Sequence, residues 1–418
     1  MLTRPEMRRA SSLYFAIGLM QASYLPFAGI IFRDRGVSFE AIGLIGAVNS
    51  MVSLGAAPIW GHLGDAVLGR AAAFRAALLL AAVGVALFAV GPFAGIPGAA
   101  IAAFAGAGLV PLLDSIGMEQ LAKVGGQWGP LRAITSFSYA AMCVVSGSLV
   151  AIGGAVVIGP MYGATALAVV AGTIGLHTRP ALRHATRPTP SDAEAEIERT
   201  EIAGTNAEIA VVGDWRDRFG TVNLAFQQSP GLFSFLMLSL LINLGAGIFY
   251  AYGSFRIQEV GGNAAAVAFG GTISALVEIP FFLAGGAIAA RLGLRTLFVL
   301  GLLAMGSCSV GYAVIDTPSA LAIVRSLVGI GFACTLLASV LSVRDLVPAA
   351  LQATGQALYQ SVSYGLAIAI AALIGGIIYG ELGAAPLFFL SAAIRAFVLA
   401  LTFGPNGAMS VKPSAMFP

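Results

Sequence analysis

The chain has 418 residues, 58% of them hydrophobic and only 10% charged, and its formal net charge is +3. A water-soluble protein of this size could not bury so much apolar surface, so the composition indicates that lipid surrounds most of the chain. Cys143, Cys308 and Cys334 each lie alone inside an apolar run, which argues against a disulfide framework and against a zinc site.

The N-terminal segment predicts a membrane helix rather than a cleaved signal peptide. Arg4, Arg8 and Arg9 precede an apolar stretch that continues to Phe32. This stretch is too long for the apolar core of a signal peptide, and no A-x-A cleavage site closes it. We therefore expect this helix to remain in the protein.

Apolar windows of about 20 residues, the length that a helix needs to cross a bilayer, recur along the chain. They predict an all-α membrane protein with twelve transmembrane helices in two six-helix pseudo-repeats. The N-terminal half comprises 1–177, the linker 178–229 and the C-terminal half 230–418. The predicted spans, numbered one to twelve, are 11–32, 39–60, 71–93, 97–117, 131–153, 155–177, 230–253, 263–289, 296–315, 317–342, 355–379 and 384–404.

Lysine and arginine are unequally divided between the two sides of this arrangement. Cytoplasmic loops carry an excess of both residues, so the division predicts which side is inside. We expect a multi-pass protein of the bacterial inner membrane with both termini cytoplasmic. Without the linker, the cytoplasmic side holds Arg4, Arg8, Arg9, Arg70, Arg75, Lys123, Arg132, Arg291, Arg295, Arg344 and Lys412, and the opposite side only Arg33, Arg35 and Arg256.

The central segment differs in composition from both halves. The stretch RPALRHATRPTPSDAEAEIERTEIAGTN is basic first and acidic afterwards, contains prolines and has no apolar period. Such a segment cannot bury enough apolar surface to fold, so we predict a cytoplasmic, largely disordered linker. The following DWRDRFGTVNLAFQQSPG predicts a short surface helix before span seven.

The loops after spans two and eight are similar to each other. The first reads GHLGDAVLGR and the second GAIAARLGLR, and each starts with glycine and finishes with glycine and arginine. Weak similarity between two six-span halves is typical of secondary transporters built from repeats. We expect the two loops to form a cytoplasmic gate that includes Gly61, Asp65, Gly69, Arg70, Arg291, Gly293 and Arg295.

The first loop resembles Gly-x-Leu-x-Asp-Arg-x-Gly-Arg, the motif of the major facilitator superfamily. Ala66 stands where that family has arginine, one extra residue separates Asp65 from Gly69, and the second loop has Ala290 in place of the aspartate. Together with the two six-span halves, the resemblance covers the whole chain and implies the fold of that family. The matching positions are Gly61, Leu63, Asp65, Gly69 and Arg70.

Longer stretches resemble one branch of that superfamily, the lactose permease-like, nucleoside and phenylpropionate proton symporters. They include VPLLDSIGM, ALVEIPFF and ATGQALYQSVSYGLAIAIAALIGGIIYG. The resemblance implies proton-coupled uptake of a small organic solute by alternating access. Because sugar-efflux members also contain a region similar to RDLVPAALQATGQALY, efflux remains an alternative.

Polar side chains form stripes along several predicted spans, most clearly along spans one and eleven. Such stripes either line a central cavity or hydrogen-bond neighbouring helices, and the sequence leaves both interpretations open. The candidate substrate-binding residues are Tyr14, Gln21, Tyr24, Asn49, Asn243, Tyr250, Gln356, Tyr359 and Gln360.

Glu278 lies deep inside span eight, two residues before Pro280. An ionised carboxylate at that depth costs several kcal/mol unless water, a cation or a proton reaches it. Pro280 leaves a backbone carbonyl unpaired, which kinks the helix or admits water. We therefore predict that Glu278 is a proton-coupling residue, with a static ion pair as the alternative.

Three further charges within the spans are candidates for specific roles. Arg325 in span ten is a candidate partner for Glu278 or a candidate binding residue for an anionic substrate, because its guanidinium matches carboxylates. Asp114 in span four is either a second proton-coupling residue or part of the inner gate. Arg395 in span twelve is expected to extend its guanidinium toward a lipid headgroup.

Other functional classes find less support. Drug antiporters of the family resemble one another in an arginine within span four and a Gly-Pro-rich span five. Neither feature is present in this sequence, which disfavours drug efflux. The chain contains no HExxH, GxSxG or P-loop motif, so we expect no enzyme, metal or cofactor. A transporter-like sensor that moves no solute is a further alternative. The expected partners are a small-molecule solute, protons and the lipid bilayer, with no nucleic acid, and we expect a monomer.

Overall fold

The computed structural model describes residues 5–124, 128–173, 215–348 and 351–403, and every regular element among them is a helix. Most of the predicted linker therefore lies outside the described residues. Its end forms a helix, as the sequence predicts, at Trp215–Gln228.

The N-terminal half begins with a broken helix. Pro26 has no backbone N–H to continue a helical hydrogen-bond ladder, and α1 ends two residues before it. Ser38 starts α3, because its hydroxyl accepts a hydrogen bond from the Ala41 backbone N–H at 3.3 Å. A π-helical turn, Leu63–Val67, follows α3. The helices are α1 (Pro5–Tyr24), α2 (Ala28–Asp34), α3 (Phe39–His62), α4 (Arg70–Val90), α5 (Pro92–Val124), α6 (Trp128–Gly153) and α7 (Ile158–Thr173).

The C-terminal half contains the remaining helices. Asn263 caps α10 through its side-chain oxygen, 3.1 Å from the Ala266 backbone nitrogen. A π-helical segment, Ser361–Leu366, joins two other helices, α13 and α14. The helices are α8 (Trp215–Gln228), α9 (Leu232–Glu259), α10 (Ala264–Val314), α11 (Pro318–Val324), α12 (Ser326–Leu346), α13 (Gln352–Gln360), α14 (Ala367–Leu382) and α15 (Ala384–Phe403).

Ten helical stretches among the described residues are long and apolar enough to cross a membrane. Two of them, Gly129–Thr173 with 45 residues and Ala264–Val314 with 51, are each more than twice the length that one crossing needs. Each is interrupted by a glycine with positive φ, Gly154 at 64° and Gly293 at 75°. The fold is an all-α membrane protein, consistent with the twelve predicted crossings.

The two halves meet along two main helix pairs, α6 against α10 and α3 against α14. At the first pair, a Cβ on Gly147 would lie 2.3 Å from the Ala268 Cβ. At the second, a Cβ on Gly43 would lie 2.5 Å from the Ala372 carbonyl oxygen. Small residues therefore allow the halves to approach closely, as is typical of membrane helices.

The bundle has two ends, which we name after their loops. The Gly36 end carries the short turns between α2 and α3 and between α9 and α10. The Asp65 end carries the π-turn after α3 and the Gly293 break in α10. The Lys and Arg distribution predicts that the Gly36 end is extracellular.

The prediction that Arg395 reaches toward a lipid headgroup is wrong. Only 1% of this residue is exposed, and its Nη1 atom donates to the Ser309 hydroxyl at 3.1 Å and to the Ser391 carbonyl at 3.0 Å. Gly245 provides room, since a Cβ there would lie 3.0 Å from Nη1. Arg395 therefore connects α15 with α9 and α10, and protein oxygens accept from its Nη1 atom.

Candidate functional site

A central cavity of about 300 Å³ lies between the two halves. Helices α1 and α6 form its wall on one side, and α9, α10 and α12 form the other. We call this cavity the charged chamber, because it contains most of the ionisable side chains at the centre of the bundle. Its lining includes Gln21, Arg132, Ser136, Tyr139, Tyr250, Ser274, Glu278 and Arg325.

Glu278 enters the charged chamber from the part of α10 that precedes the Gly293 break, one turn before the Gly129–Phe282 contact between the halves. The Ser136 hydroxyl faces its carboxyl group, and the Arg132 guanidinium lies near enough to interact electrostatically with it. Both residues belong to α6 in the opposite half. A carboxyl group in this position can exchange a proton with the chamber. The resulting change of its charge alters its electrostatic interaction with the opposite half.

Arg325 lies at the break between α11 and α12 and lines the same chamber. Gly270 makes space for it, since a Cβ there would lie 2.8 Å from the Arg325 Cδ atom. The guanidinium carbon lies 5.5 Å from the Phe249 ring centroid. One terminal nitrogen, Nη1, is buried without a hydrogen-bond partner in the part of the chain that the structure describes. Arg325 and Glu278 share the chamber without forming an ion pair among those residues.

Sequence reasoning missed the face of α6 that meets Glu278. Arg132, Ser136, Tyr139 and Cys143 are spaced by four, three and four residues, so they lie on one side of the helix. From the sequence, Arg132 is counted only among the cytoplasmic charges. The helical spacing from Arg132 to Tyr139 was the available signal for a polar stripe facing the cavity.

A second cavity of about 410 Å³ lies inside the N-terminal half, between α1, α3, α5 and α7. Gln21 and Leu25 line both cavities, so the two adjoin. We call it the apolar chamber, because alanines and two tyrosine rings dominate its wall. Its lining includes Met20, Tyr24, Asn49, Ser53, Ala99, Ala102, Ala103, Gly106 and Tyr162.

Four predicted substrate-binding residues lie around the two chambers, together with Glu278 and Arg325. Gln21 and Tyr250 line the charged chamber, and Gln21, Tyr24 and Asn49 line the apolar one. Other lining residues, among them Ala102, Tyr139 and Tyr162, come from α5, α6 and α7, which carried no substrate-binding prediction.

Five other predicted substrate-binding residues lie outside both chambers. Tyr14 is completely buried and donates a hydrogen bond of 2.5 Å to Asp114, which joins α1 to α5. The Asn243 amide donates to the Ser239 carbonyl within its own helix. The Gln356 amide donates to the Val340 carbonyl at 3.0 Å, Tyr359 packs against Phe235 and Tyr364, and Gln360 is exposed.

The predicted gate loops have related backbones but different contacts. Gly69 and Gly293 both adopt positive φ, 82° and 75°, which favours glycine. Arg70 pairs with Asp65 at 2.9 Å. Arg295, which corresponds to Arg70, donates instead to the Thr402 carbonyl at 2.7 Å. Of the remaining gate residues, Arg291 is exposed, and a Cβ on Gly61 would meet open space.

Aromatic side chains close the Gly36 end. The Phe39 ring from α3 lies 5.3 Å from Phe255 of α9 and 4.6 Å from Tyr379 of α14, measured between centroids. Tyr252 stacks on Tyr379 at 5.6 Å, and the Tyr379 hydroxyl donates to the Glu259 carboxylate at 2.9 Å. We call Phe39, Tyr252, Phe255 and Tyr379 the aromatic seal. These rings pack across the boundary between the two halves at the Gly36 end.

Comparisons with known proteins support the same architecture. The model of the MFS_1-like family matches residues 8–390. The chain is similar to the maltose permease of Geobacillus stearothermophilus, with 24% identity over 386 residues that cover 90% of this chain and 89% of that protein.

Solved transporter structures share the fold. The nucleoside transporter NupG aligns with a TM-score of 0.73 and 15% identity, over 94% of this chain and 97% of that one. A peptide transporter POT aligns with a TM-score of 0.66 and 16% identity, over 94% of each chain. The resemblance that the Asp65–Arg70 loop indicated is thereby confirmed. Because the family model matches most of the sequence, the chain belongs to the MFS_1-like family and has the major facilitator fold.

Proposed function

We propose that this transporter moves a small organic solute across the bacterial inner membrane by alternating access, in symport with protons. The observation that carries the proposal is the position of Glu278 in the central cavity, facing Arg132 and Ser136 of the other half. A carboxyl group at the interface between two moving halves can couple its protonation to their motion, because each arrangement of the halves gives it different neighbours.

The two ends of the bundle support alternating access. The aromatic seal closes the Gly36 end, and the charged chamber extends from Arg325 toward Arg132 and Phe282 on the Asp65 side. With the Gly36 end outside, this arrangement is the inward-facing one. Rocking of the halves would separate Phe39 from Phe255 and Tyr379 and bring the gate loops together. The protein works as a monomer in this proposal, since each half supplies one wall of the cavity.

Glu278 takes a proton from the outside and releases it inside together with the solute. When the carboxyl group is protonated, the halves can change their arrangement without moving an ionised carboxylate through a low-dielectric environment. When it is ionised, Arg132 provides a nearby positive charge. Asp114 has a second, smaller place in the proposal, because its hydrogen bond to Tyr14 joins α1 to α5 at the wall of the N-terminal half.

The test uses the purified protein in liposomes with a pH-sensitive dye inside. A panel of external solutes includes aromatic acids, nucleosides and disaccharides. We expect one solute class to acidify the lumen, and we expect Glu278→Gln to abolish this signal, because glutamine cannot carry the proton. Glu381→Gln is the matched control, since Glu381 is exposed at the Gly36 end and should leave the signal intact.

Two results would contradict the proposal. If acidification survives in Glu278→Gln, the coupling group is elsewhere, and Asp114→Asn is the next variant to measure. If no solute produces a proton flux while the protein remains folded, the symport mechanism is wrong. Solute-driven alkalinisation in place of acidification would instead indicate proton-coupled efflux.

A further inference from the structure

The charges of the central cavity are not balanced. Two arginines, Arg132 and Arg325, and one glutamate, Glu278, line the charged chamber, so its formal charge is +1 with the glutamate ionised and +2 with it protonated. Glu278 interacts with Arg132 across the chamber and leaves Arg325 without a carboxylate partner. A positive cavity inside a membrane protein is favoured only when an anion or water compensates the charge.

Arg325 is built to receive such an anion. Its electrostatic surroundings include the side chains of Tyr312, Tyr139, Cys308 and Cys143, none of them a carboxylate. Its Nη1 atom is buried without a hydrogen-bond partner among the described residues. A buried guanidinium nitrogen without an acceptor is costly, so a ligand that supplies the acceptor recovers that free energy.

The adjoining apolar chamber indicates what the rest of the ligand contains. It has about 410 Å³ of space, enough for a ring or a short chain, and its wall carries the Tyr24 and Tyr162 rings at a centroid distance of 6.3 Å. Gln21 and Leu25 mark its boundary with the charged chamber. The polar groups at hand, Asn49 and Ser53, carry no charge. This chamber therefore favours an uncharged, apolar body.

We propose that the transported solute is an amphipathic organic monoanion whose carboxylate binds Arg325 and whose apolar body occupies the apolar chamber. This inference rests on the proposed function and names the substrate class of the same site. A dianion or a phosphate would match the charge of the chamber only while Glu278 is protonated, because the two arginines and an ionised Glu278 sum to +1. A wholly neutral solute can offer an acceptor to the Arg325 nitrogen but leaves the positive charge of the chamber uncompensated.

The same charges connect the anion to the proton. Protonation of Glu278 raises the positive charge of the chamber, so the anion binds more tightly when the proton is present. By linkage, the anion increases the affinity of Glu278 for the proton to the same degree. The groups that face Glu278 are Arg132 and Ser136 of α6, with Tyr139 of α6 and Tyr250 of α9 also within electrostatic reach. A net neutral pair, one proton and one monoanion, then crosses together.

Calorimetric titration of the full-length protein in detergent tests the inference with three probes. Benzoate has both the charge and the apolar body, benzamide lacks the charge, and acetate lacks the body. We expect benzoate to bind at least about tenfold more tightly than either of the others, because a charge-assisted hydrogen bond and an apolar contact each contribute that much. Benzoate should bind more tightly below the pH at which Glu278 loses its proton than above it, and Glu278→Gln should remove this difference.

Two variants separate the chambers. Arg325→Gln should reduce benzoate binding to the level of benzamide, whereas Arg325→Lys, which keeps the charge without the planar fork, should retain part of it. Gly106→Leu places a side chain in the apolar chamber, where a Cβ on Gly106 meets nothing within 4 Å. It should weaken benzoate binding and leave acetate binding unchanged. Thermal unfolding of each variant verifies that the fold is retained.

Three results would each overturn the monoanion assignment. They are equal affinity for benzoate and benzamide, no binding of benzoate, and benzoate binding that survives in folded Arg325→Gln. Uptake of a neutral solute that requires Glu278 but not Arg325 would overturn it too, and would leave the proposed symport intact. The proposed function fails separately, when no solute of any charge drives proton movement in liposomes.

Discussion

The two ends of the bundle are held by different contacts. At the Gly36 end, the rings of Phe39, Phe255 and Tyr379 pack across the boundary between the halves. At the Asp65 end, Asp65 pairs with Arg70 of its own half, and Arg295 donates to a carbonyl of its own half. The described charged contacts of the gate loops therefore hold each half together, whereas the aromatic contacts hold the halves to each other.

This difference has an energetic consequence. A pair of aromatic rings contributes about 0.5–1.5 kcal/mol beyond the apolar area that it buries. An exposed ion pair contributes about 0–1 kcal/mol, and the side chains of Asp65 and Arg70 are 44% and 33% exposed. Packing therefore contributes more than ion pairs to the stability of the arrangement in which the Gly36 end is closed. Changes to that packing should alter the balance between the two arrangements more than changes to the gate charges.

The largest expected effect comes from Gly376→Leu in α14. A Cβ at this position would lie 2.7 Å from the Phe39 carbonyl oxygen of α3, so a leucine forces the halves apart at the Gly36 end. We expect solute transport to fall at least about tenfold, because an arrangement that cannot close stops the cycle. The readout is the rate at which an impermeant thiol reagent, added from the Gly36 side, labels a cysteine introduced by Leu25→Cys.

Gly163→Leu in α7 is the matched control. A Cβ there meets nothing within 4 Å, so the same change in size should leave labelling and transport unchanged. The three native cysteines are buried, which keeps the background of labelling low. Slow labelling in Gly376→Leu, equal to that of the unmodified seal, would show that contact between α3 and α14 does not decide which end is open.

A smaller effect is expected from Phe39→Ala. The change removes two ring contacts across the boundary, with Phe255 and Tyr379, but introduces no steric clash. The lost contacts correspond to about 1–3 kcal/mol, so labelling of the cysteine at position 25 should accelerate about five- to a hundredfold. Transport should continue, since both arrangements remain accessible.

Phe233→Ala provides the comparison for Phe39→Ala. Phe233 packs against Phe226 within the C-terminal half, with a centroid distance of 6.5 Å. The loss of that pair should destabilise one half without changing labelling from the Gly36 side. Equal acceleration by both substitutions would mean that general loosening of the bundle, and not the aromatic seal, controls access.

Much of the fold could be predicted from the sequence, because hydropathy alone determines where a helix can cross a bilayer. Glu278 and Arg325 were identifiable for the same reason, since a charge inside an apolar run is conspicuous. Arg132 was not, because it lies near the end of α6, where a cytoplasmic loop charge is equally expected. Its role in the site depends on which helix faces Glu278.

Contacts between distant segments could not be predicted. The buried surroundings of Arg395 come from Ser309, which is 86 positions away, and from Gly245 on a third helix. The aromatic seal likewise joins Phe39 to residues more than 200 positions later. The polar stripe on α13 allowed either a cavity wall or a helix contact, and Gln356 bonds a neighbouring backbone carbonyl. Stripe patterns alone do not distinguish a cavity wall from a helix contact.

The smallest expected effect comes from Asp65→Asn at the Asp65 end. The substitution removes the charge that pairs with Arg70 at 2.9 Å, in a site that solvent and salt screen. The free energy of unfolding should fall by less than about 1 kcal/mol, and cysteine labelling from the Gly36 side should stay within about fivefold of its original rate. A double-mutant cycle with Arg70→Gln, measured at low and high salt, gives the interaction free energy of the Asp65–Arg70 pair. Since the pair lies inside one half, its loss should change the speed with which the gate loops meet more than the balance between the two arrangements. A labelling change as large as that of Gly376→Leu would contradict this division, because an exposed pair within one half would then hold the two halves as firmly as the packed Gly36 end.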